Sequence, residues 1–259
     1  MTISEVSWEE YIDALRKVSD EAGRKFKEYY LRVNDPTSQA GRQALINYAY
    51  ALGNNYGEAA AELACEMYDA MLELSEVPIY EPAVPAAPAT YAETAKTVNG
   101  VLKVSLNPEE IAGAVGRLVK MAGVDTTMKN ALRDGAEWAW IPHGDTCAFC
   151  ITLASRGWQQ ASKKAIKNGH AEHIHANCDC TYAVRFNNRT NVEGYDPNRY
   201  KKMYYGADLD GEKATGKNRI NALRREFYKE NKDEINAQKR SAYEKRRERE
   251  ASSAEELNI

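Results

Sequence analysis

Four of the five cysteines and three of the four histidines of this 259-residue chain fall between residues 145 and 180. The first group is Asp145-Thr146-Cys147-Ala148-Phe149-Cys150. The second holds His170, Glu172, His173, His175, Asn177, Cys178, Asp179 and Cys180. A Cys-x2-Cys knuckle followed at a distance by His-x2-Cys-x-Cys is the spacing of a tetrahedral metal site closed from two separated segments. Thiolate and imidazole ligands suit zinc, which needs no redox partner. Five residues compete for four places: Cys147, Cys150, His175, Cys178 and Cys180. The expected set is Cys147, Cys150 and Cys178 with either His175 or Cys180. Cys178 and Cys180 are two apart, so on a strand both side chains point to one face and both can bind. If all four cysteines bind, His175 orients a thiolate from outside. His173 is a weaker candidate.

Four protein ligands leave no open position for an activated water, so the zinc is expected to be structural. Two catalytic readings compete with this. His170-Ala171-Glu172 matches half of the zinc-deaminase signature, but the Cys-x2-Cys half precedes it and Thr146 stands where proline belongs. A metal-supported nuclease could use His170, Glu172 and His173, but the downstream Asn-x-x-x-His of that pattern does not follow. The expectation is therefore no enzyme. A zinc-stabilised adaptor domain is a further alternative. The fifth cysteine, Cys65, sits in an apolar helical pattern and reads as a small buried hydrophobe.

The elements around the motif are predicted as follows. Ser7 to Glu10 form a capping box. From there Trp8, Tyr11, Ile12, Leu15, Val18, Ala22, Phe26, Tyr29 and Val33 recur at helical steps, until Asp35-Pro36. A second helical run covers Ser38 to about Ser75, with an interruption expected at Gly53-Asn54-Asn55. Pro78, Pro82, Pro85 and Pro88 make an extended, semi-rigid connector; the alternative is an ordered strap across a neighbouring subunit. Residues 97–106 are expected as a short strand or ordered loop. Asn107-Pro108-Glu109-Glu110 starts a helix to about Gly123, and Asp125 caps another ending near Gly135. Trp138 to Ile141 and Thr181 to Phe186 read as strands, and Cys147 to Arg156 as a helix stopped by Gly157. Residues 187–217 are rich in turn signals, and 218–250 read as a charged helix.

The expected fold class is α+β and mostly helical. An N-terminal helical bundle (1–76) is followed by a Pro-rich linker (77–92). Then come a small metal-pinned α+β domain (93–190) and a loop with a charged helical tail (191–259).

Charge is divided between the ends. Residues 1–92 carry seven Lys/Arg against fifteen Asp/Glu, whereas 213–249 carry thirteen against six. This points to different partners for the two ends. The acidic residues read as a solvated helical face, or as a protein-docking surface. The basic tail, with Tyr195, Tyr200, Tyr204 and Tyr205 just upstream, is suited to non-specific contact with nucleic-acid phosphates. No secretory signal or membrane-spanning segment is expected, which favours a reducing compartment and metal ligation over disulfides.

The words Asp145 to Gly157, then His175-Ala176-Asn177-Cys178-Asp179-Cys180-Thr181, resemble the C-terminal domain of the phage Mu F-like minor head proteins. Those typically read Cys-Pro-x-Cys, a short helix and Gly, then His-Pro-Asn-Cys-Arg-Cys-Thr. Here Ala148 and Ala176 replace the prolines and Asp179 the arginine. The resemblance covers roughly residues 100–190 and places a Mu F-like domain at 93–190. It implies a minor capsid protein of a tailed phage or prophage. Such a protein associates with the portal vertex inside the head and contributes to head assembly or genome delivery. The implied partners are the portal protein, with major capsid or scaffolding protein as further candidates. The implied location is the capsid interior, after assembly in the host cytoplasm.

Overall fold

A computed structural model describes residues 2–3, 5–76, 81–143, 146–163, 180–230 and 232–233. The described chain is mostly helical with a small sheet. It divides into two compact units. One comprises Met1–Thr146 and Arg156–Pro197; the other comprises Cys147–Ser155 and Asn198–Ile259.

The first unit is built on four helices: α1 (Glu5–Tyr30), α2 (Gln39–Leu74), α3 (Tyr91–Leu102) and α4 (Pro108–Asp134). α1 buries Trp8, Tyr11, Ile12, Leu15, Ala22, Phe26 and Tyr30, the face its three- and four-residue steps predict. The turn after it is fixed by Asp35. Its carboxylate accepts from the backbone N–H of Thr37 at 2.9 Å and of Ser38 at 3.1 Å. Ser38 then caps α2, its hydroxyl accepting from Gly41 N–H at 3.0 Å. Phe26, Leu45, Ile46, Leu52, Val98, Leu102, Ile111 and Val115 meet in one core shared by all four helices.

Two expected interruptions are absent. α2 runs unbroken through Gly53 to Asn55, and α4 runs through Gly123. The reason at Gly123 is packing. A Cβ there would lie 3.0 Å from the Ala60 carbonyl oxygen of α2, so the missing side chain lets two helices approach. Gly116 does the same against the Ser19 carbonyl oxygen of α1, also at 3.0 Å. α4 stops where the sequence says, with Gly135 in the left-handed region at φ 64°.

Residues 97–106, expected as strand or loop, are instead helical to Leu102. The start lies further back, where Thr90 and Glu93 form a reciprocal capping box. Val98 and Leu102 enter the core one helical turn apart.

The Pro-rich segment is, over its described residues 81–90, a strap tied to α2 and α4 rather than a free connector. Asp69 on α2 accepts from Ala83 N–H at 2.9 Å. Asn130 on α4 accepts from Val84 N–H at 3.0 Å and donates to the Val84 carbonyl at 2.9 Å. Thr126 accepts from Ala86 N–H at 2.9 Å. Arg133 donates to the carbonyls of Pro82 and Glu81 at 3.1 and 2.8 Å. Prolines exclude helix and strand ladders, so the remaining backbone groups are satisfied by side chains of the bundle.

The sheet of this unit has the order β3-β2-β4, with β2 (Glu137–Ile141), β3 (Gln159–Gln160) and β4 (Thr181–Arg185), all antiparallel. Trp138 faces Val184 and Trp140 faces Tyr182. The Tyr182 ring stands edge-on to both tryptophans at 4.3 and 4.7 Å. Glu137 and Arg185, directly opposite, form an ion pair at 2.6 Å. Tyr68 of α2 packs edge-on against Phe186 at 5.3 Å and donates to Asp134 at 2.8 Å, which docks the sheet on the bundle. A two-residue parallel pair joins β1 (Thr2–Ile3) to β5 (Asn191–Val192).

The second unit contains α5 (Ala148–Ala154), α6 (Pro197–Gly206) and α7 (Gly216–Glu230). Its core is Ala148 and Ile151 of α5 against Ala207, Ala222 and Leu223, with Tyr200, Tyr204, Leu209 and Phe227 around them. α6 falls inside the stretch expected as loop. It has no fully buried residue, so its apolar period is too weak to read. No helix among the described residues is long and apolar enough to cross a membrane.

Candidate metal-ligand cysteines

The chemistry predicted for residues 145–180 rests on thiols, and three of the five candidate ligands are described. Cys180 lies one residue before β4, whose first residue Thr181 pairs with Ile141 at the end of β2. It is buried, and the backbone N–H of His143 donates to its Sγ at 3.4 Å. The Cys180 Sγ in turn lies 3.8 Å from the His143 carbonyl, to which the thiol donates. His143 was not among the sequence candidates. Its contribution comes from the backbone two residues past a paired strand, and residue type carries no signal for that.

Cys147 and Cys150 open α5. Cys147 occupies the N-cap position with extended backbone, φ −75° and ψ 163°, and its side chain makes no capping bond. It is half-buried, whereas Cys150 is fully buried. The helix divides its faces by period. Cys147 and Cys150, three apart, share one edge; Ala148 and Ile151, one step round, face the core of the second unit. α5 closes at Ser155, and Gly157 follows at φ 67° as the sequence predicts.

Cys180 belongs to the first unit, and Cys147 and Cys150 to the second. His175 and Cys178 lie outside the described residues, as do His170, Glu172 and His173. Among the described residues no group of three or more His, Cys, Asp or Glu gathers as a metal site. The described donors nonetheless have the right chemistry for a soft divalent ion: three thiols with low exposure, one with an N–H directed at its sulfur.

Cys65 is a different kind of cysteine. It is buried in α2, and burial pushes its thiol up to about 11, with Glu62 and Asp69 adding to the effect. At neutral pH it stays protonated and inert. Tyr11 and Tyr68 are likewise driven above the ordinary phenol range by burial, Tyr68 additionally by its bond to Asp134.

The basic residues interleaved with the tyrosines upstream of the tail, legible in the sequence within a stretch expected as loop, lie on α6. Arg199, Lys201 and Lys202 sit on this helix, which carries no acid.

No curated protein and no solved structure matches the chain. A family model described as VG15 protein matches residues 2–207, spanning the bundle, the sheet and both knuckles, and the chain therefore belongs to this viral (phage) protein family.

Proposed function

We propose that this phage protein is a minor capsid protein of the Mu F-like type, associated with the portal vertex inside the head and acting in head assembly or genome delivery. The observation that carries the reading is the double knuckle, Cys147-x2-Cys150 and His175-x2-Cys178-x-Cys180, set in the flanking words of that family on a chain whose family is viral. Membership of a phage family supports the virion context. The division of charge supports two kinds of neighbour: an acidic helical bundle for a protein such as the portal, and a basic C-terminal region for the packaged genome.

The role is structural and does not include a reaction of its own. A zinc ion held by four of Cys147, Cys150, His175, Cys178 and Cys180 would supply folding energy, not an activated water. The test is quantitative mass spectrometry of purified particles. The chain should be found in mature heads at a few copies for each portal ring. Absence from particles, with the chain abundant in the infected cell, would contradict the proposal.

A further inference from the structure

In the helical bundle and its sheet, several cations are held by carboxylates. Arg16 pairs with Asp13, Arg24 with Glu21 and Glu28, Lys27 with Glu109, Arg133 with Asp134 and Arg185 with Glu137. α6 and α7 carry a further set. Lys201, Lys202, Lys217 and Arg224 are exposed, and none forms an ion pair among the described residues.

The acids of this region are occupied instead. Glu226 accepts from the Asp208 backbone N–H at 2.8 Å, Asp208 accepts from Asp210 N–H at 2.9 Å, and Glu212 faces Arg225 at 3.9 Å. They close the α6–α7 connection, and among the described residues none of them pairs with Lys201, Lys202, Lys217 or Arg224.

The two helices are joined through Arg219. Arg219 of α7 donates to the carbonyl of Tyr205 on α6 at 3.1 Å. Its guanidinium also lies over the Tyr205 and Tyr204 rings, 5.0 and 5.7 Å from their centroids. An arginine held this way is pre-oriented, and four of its five N–H groups remain for an acceptor. Gly216, at the start of α7, lies beside the Tyr204 hydroxyl, 3.6 Å from the position of a Cβ, so Lys217 enters next to α6. Tyr205 itself is 65% exposed, an aromatic face left in solvent beside the arginine.

We infer that the α6–α7 surface binds the phosphate backbone of duplex DNA without sequence preference. The occupant follows from charge complementarity. Exposed Lys and Arg on two joined helices, with a pre-oriented guanidinium, fit a polyanion, and phosphate contacts alone carry no sequence information. The inference rests on the portal-vertex reading, which puts packaged duplex within reach. It adds to that reading a site distinct from the charged tail.

The experiment is fluorescence anisotropy of the full-length protein with a labelled duplex across a salt series. It compares the parent with a variant carrying Lys201→Gln, Lys202→Gln, Lys217→Gln and Arg224→Gln. The parent should bind with a steep salt dependence. The variant should bind at least about tenfold more weakly near physiological salt, with the slope of log K against log salt reduced by about three to four. These side chains are exposed and form no ion pair among the described residues, so its melting temperature should match the parent. If it does not, the four single variants, each lowering the slope by about one, carry the test. Unchanged affinity and slope would overturn the inference. So would equal loss from neutralising Lys245, Arg246, Arg247 and Arg249 with the helix variant unaffected. Tighter binding of a single strand, or of vesicles rich in anionic lipid, would assign the surface to another ligand and overturn it as well. Portal capture by the four-site variant should be retained. Loss of portal capture by the parent, with DNA binding intact, would overturn the functional proposal and leave this one standing.

Discussion

At the scale of single residues, Cys65 stands apart from the other described cysteines by its place inside the long helix α2. Cys65 is surrounded by apolar helix and held protonated, so it should react slowly with a thiol reagent at neutral pH in the native protein and fast after unfolding. The same burial has a pH consequence. Burial pushes the folded thiol up to about 11 from an ordinary 9.0, so its stabilising effect is complete below about pH 9. It is lost as pH rises toward 11, and Tyr11 and Tyr68 extend the loss to higher pH. The urea midpoint should therefore fall between pH 8 and pH 10.5. A midpoint that rose would contradict the assignment. For the knuckles, purified protein should contain zinc, and chelation should lower its melting temperature. Cys147→Ser and Cys178→Ser should each reduce metal content. Comparison of His175→Ala with Cys180→Ser identifies the fourth ligand as the one whose loss empties the site. Metal-free protein with a melting curve indifferent to chelator would rule out the zinc clip.

Residue chemistry was the most legible level of this sequence, because capping and helix-stop signals are written in adjacent letters. Asn107-Pro108, Gly135 and Gly157 do in the structure what their types predict. Gly123 shows where that legibility ends. It reads as a helix stop, yet its role is set by Ala60, 63 residues away, through a close helix crossing. Gly123→Ala should improve helix propensity by about 1 kcal/mol. It also forces backbone against backbone, which costs about 1–3 kcal/mol. The clash involves atoms that cannot rotate away, so net destabilisation is expected in thermal melts. A more stable variant would show that the helices can separate at no cost.

Among elements, the strap at 81–90 and helix α6 were the least legible. Prolines at 82, 85 and 88 announce extended backbone, but not which side chains satisfy it. Those partners, Asp69, Thr126, Asn130 and Arg133, come from two distant helices. Asn130 is the central tie because it both accepts from and donates to Val84 while buried. Asn130→Ala should cost about 1–3 kcal/mol, the penalty of leaving backbone polar groups unpaired. Limited proteolysis should then cut near Val84 before the helices open. Uniform resistance would mean that the strap is held by packing alone. α6 escaped notice because a helix with no fully buried face leaves no apolar period, only a run of Arg, Lys and Tyr between turn signals.

For the molecule as a whole, helical content, the bundle and the two longer strands were readable from period and composition. The association of α5 with the C-terminal helices in one compact unit was not, since their contacts join Ala148 and Ile151 to Leu223 across more than seventy residues. The first cysteine knuckle is thereby built on the same unit as the exposed cations of α6 and α7. The functional account makes this chain a portal-vertex component of a phage head. The most direct test is co-expression with the portal protein encoded in the same phage genome, one partner tagged, followed by size-exclusion chromatography of the captured material. The account predicts a stable complex eluting with the portal ring that survives nuclease treatment. Clean separation of the two proteins, with each folded and soluble, would contradict it.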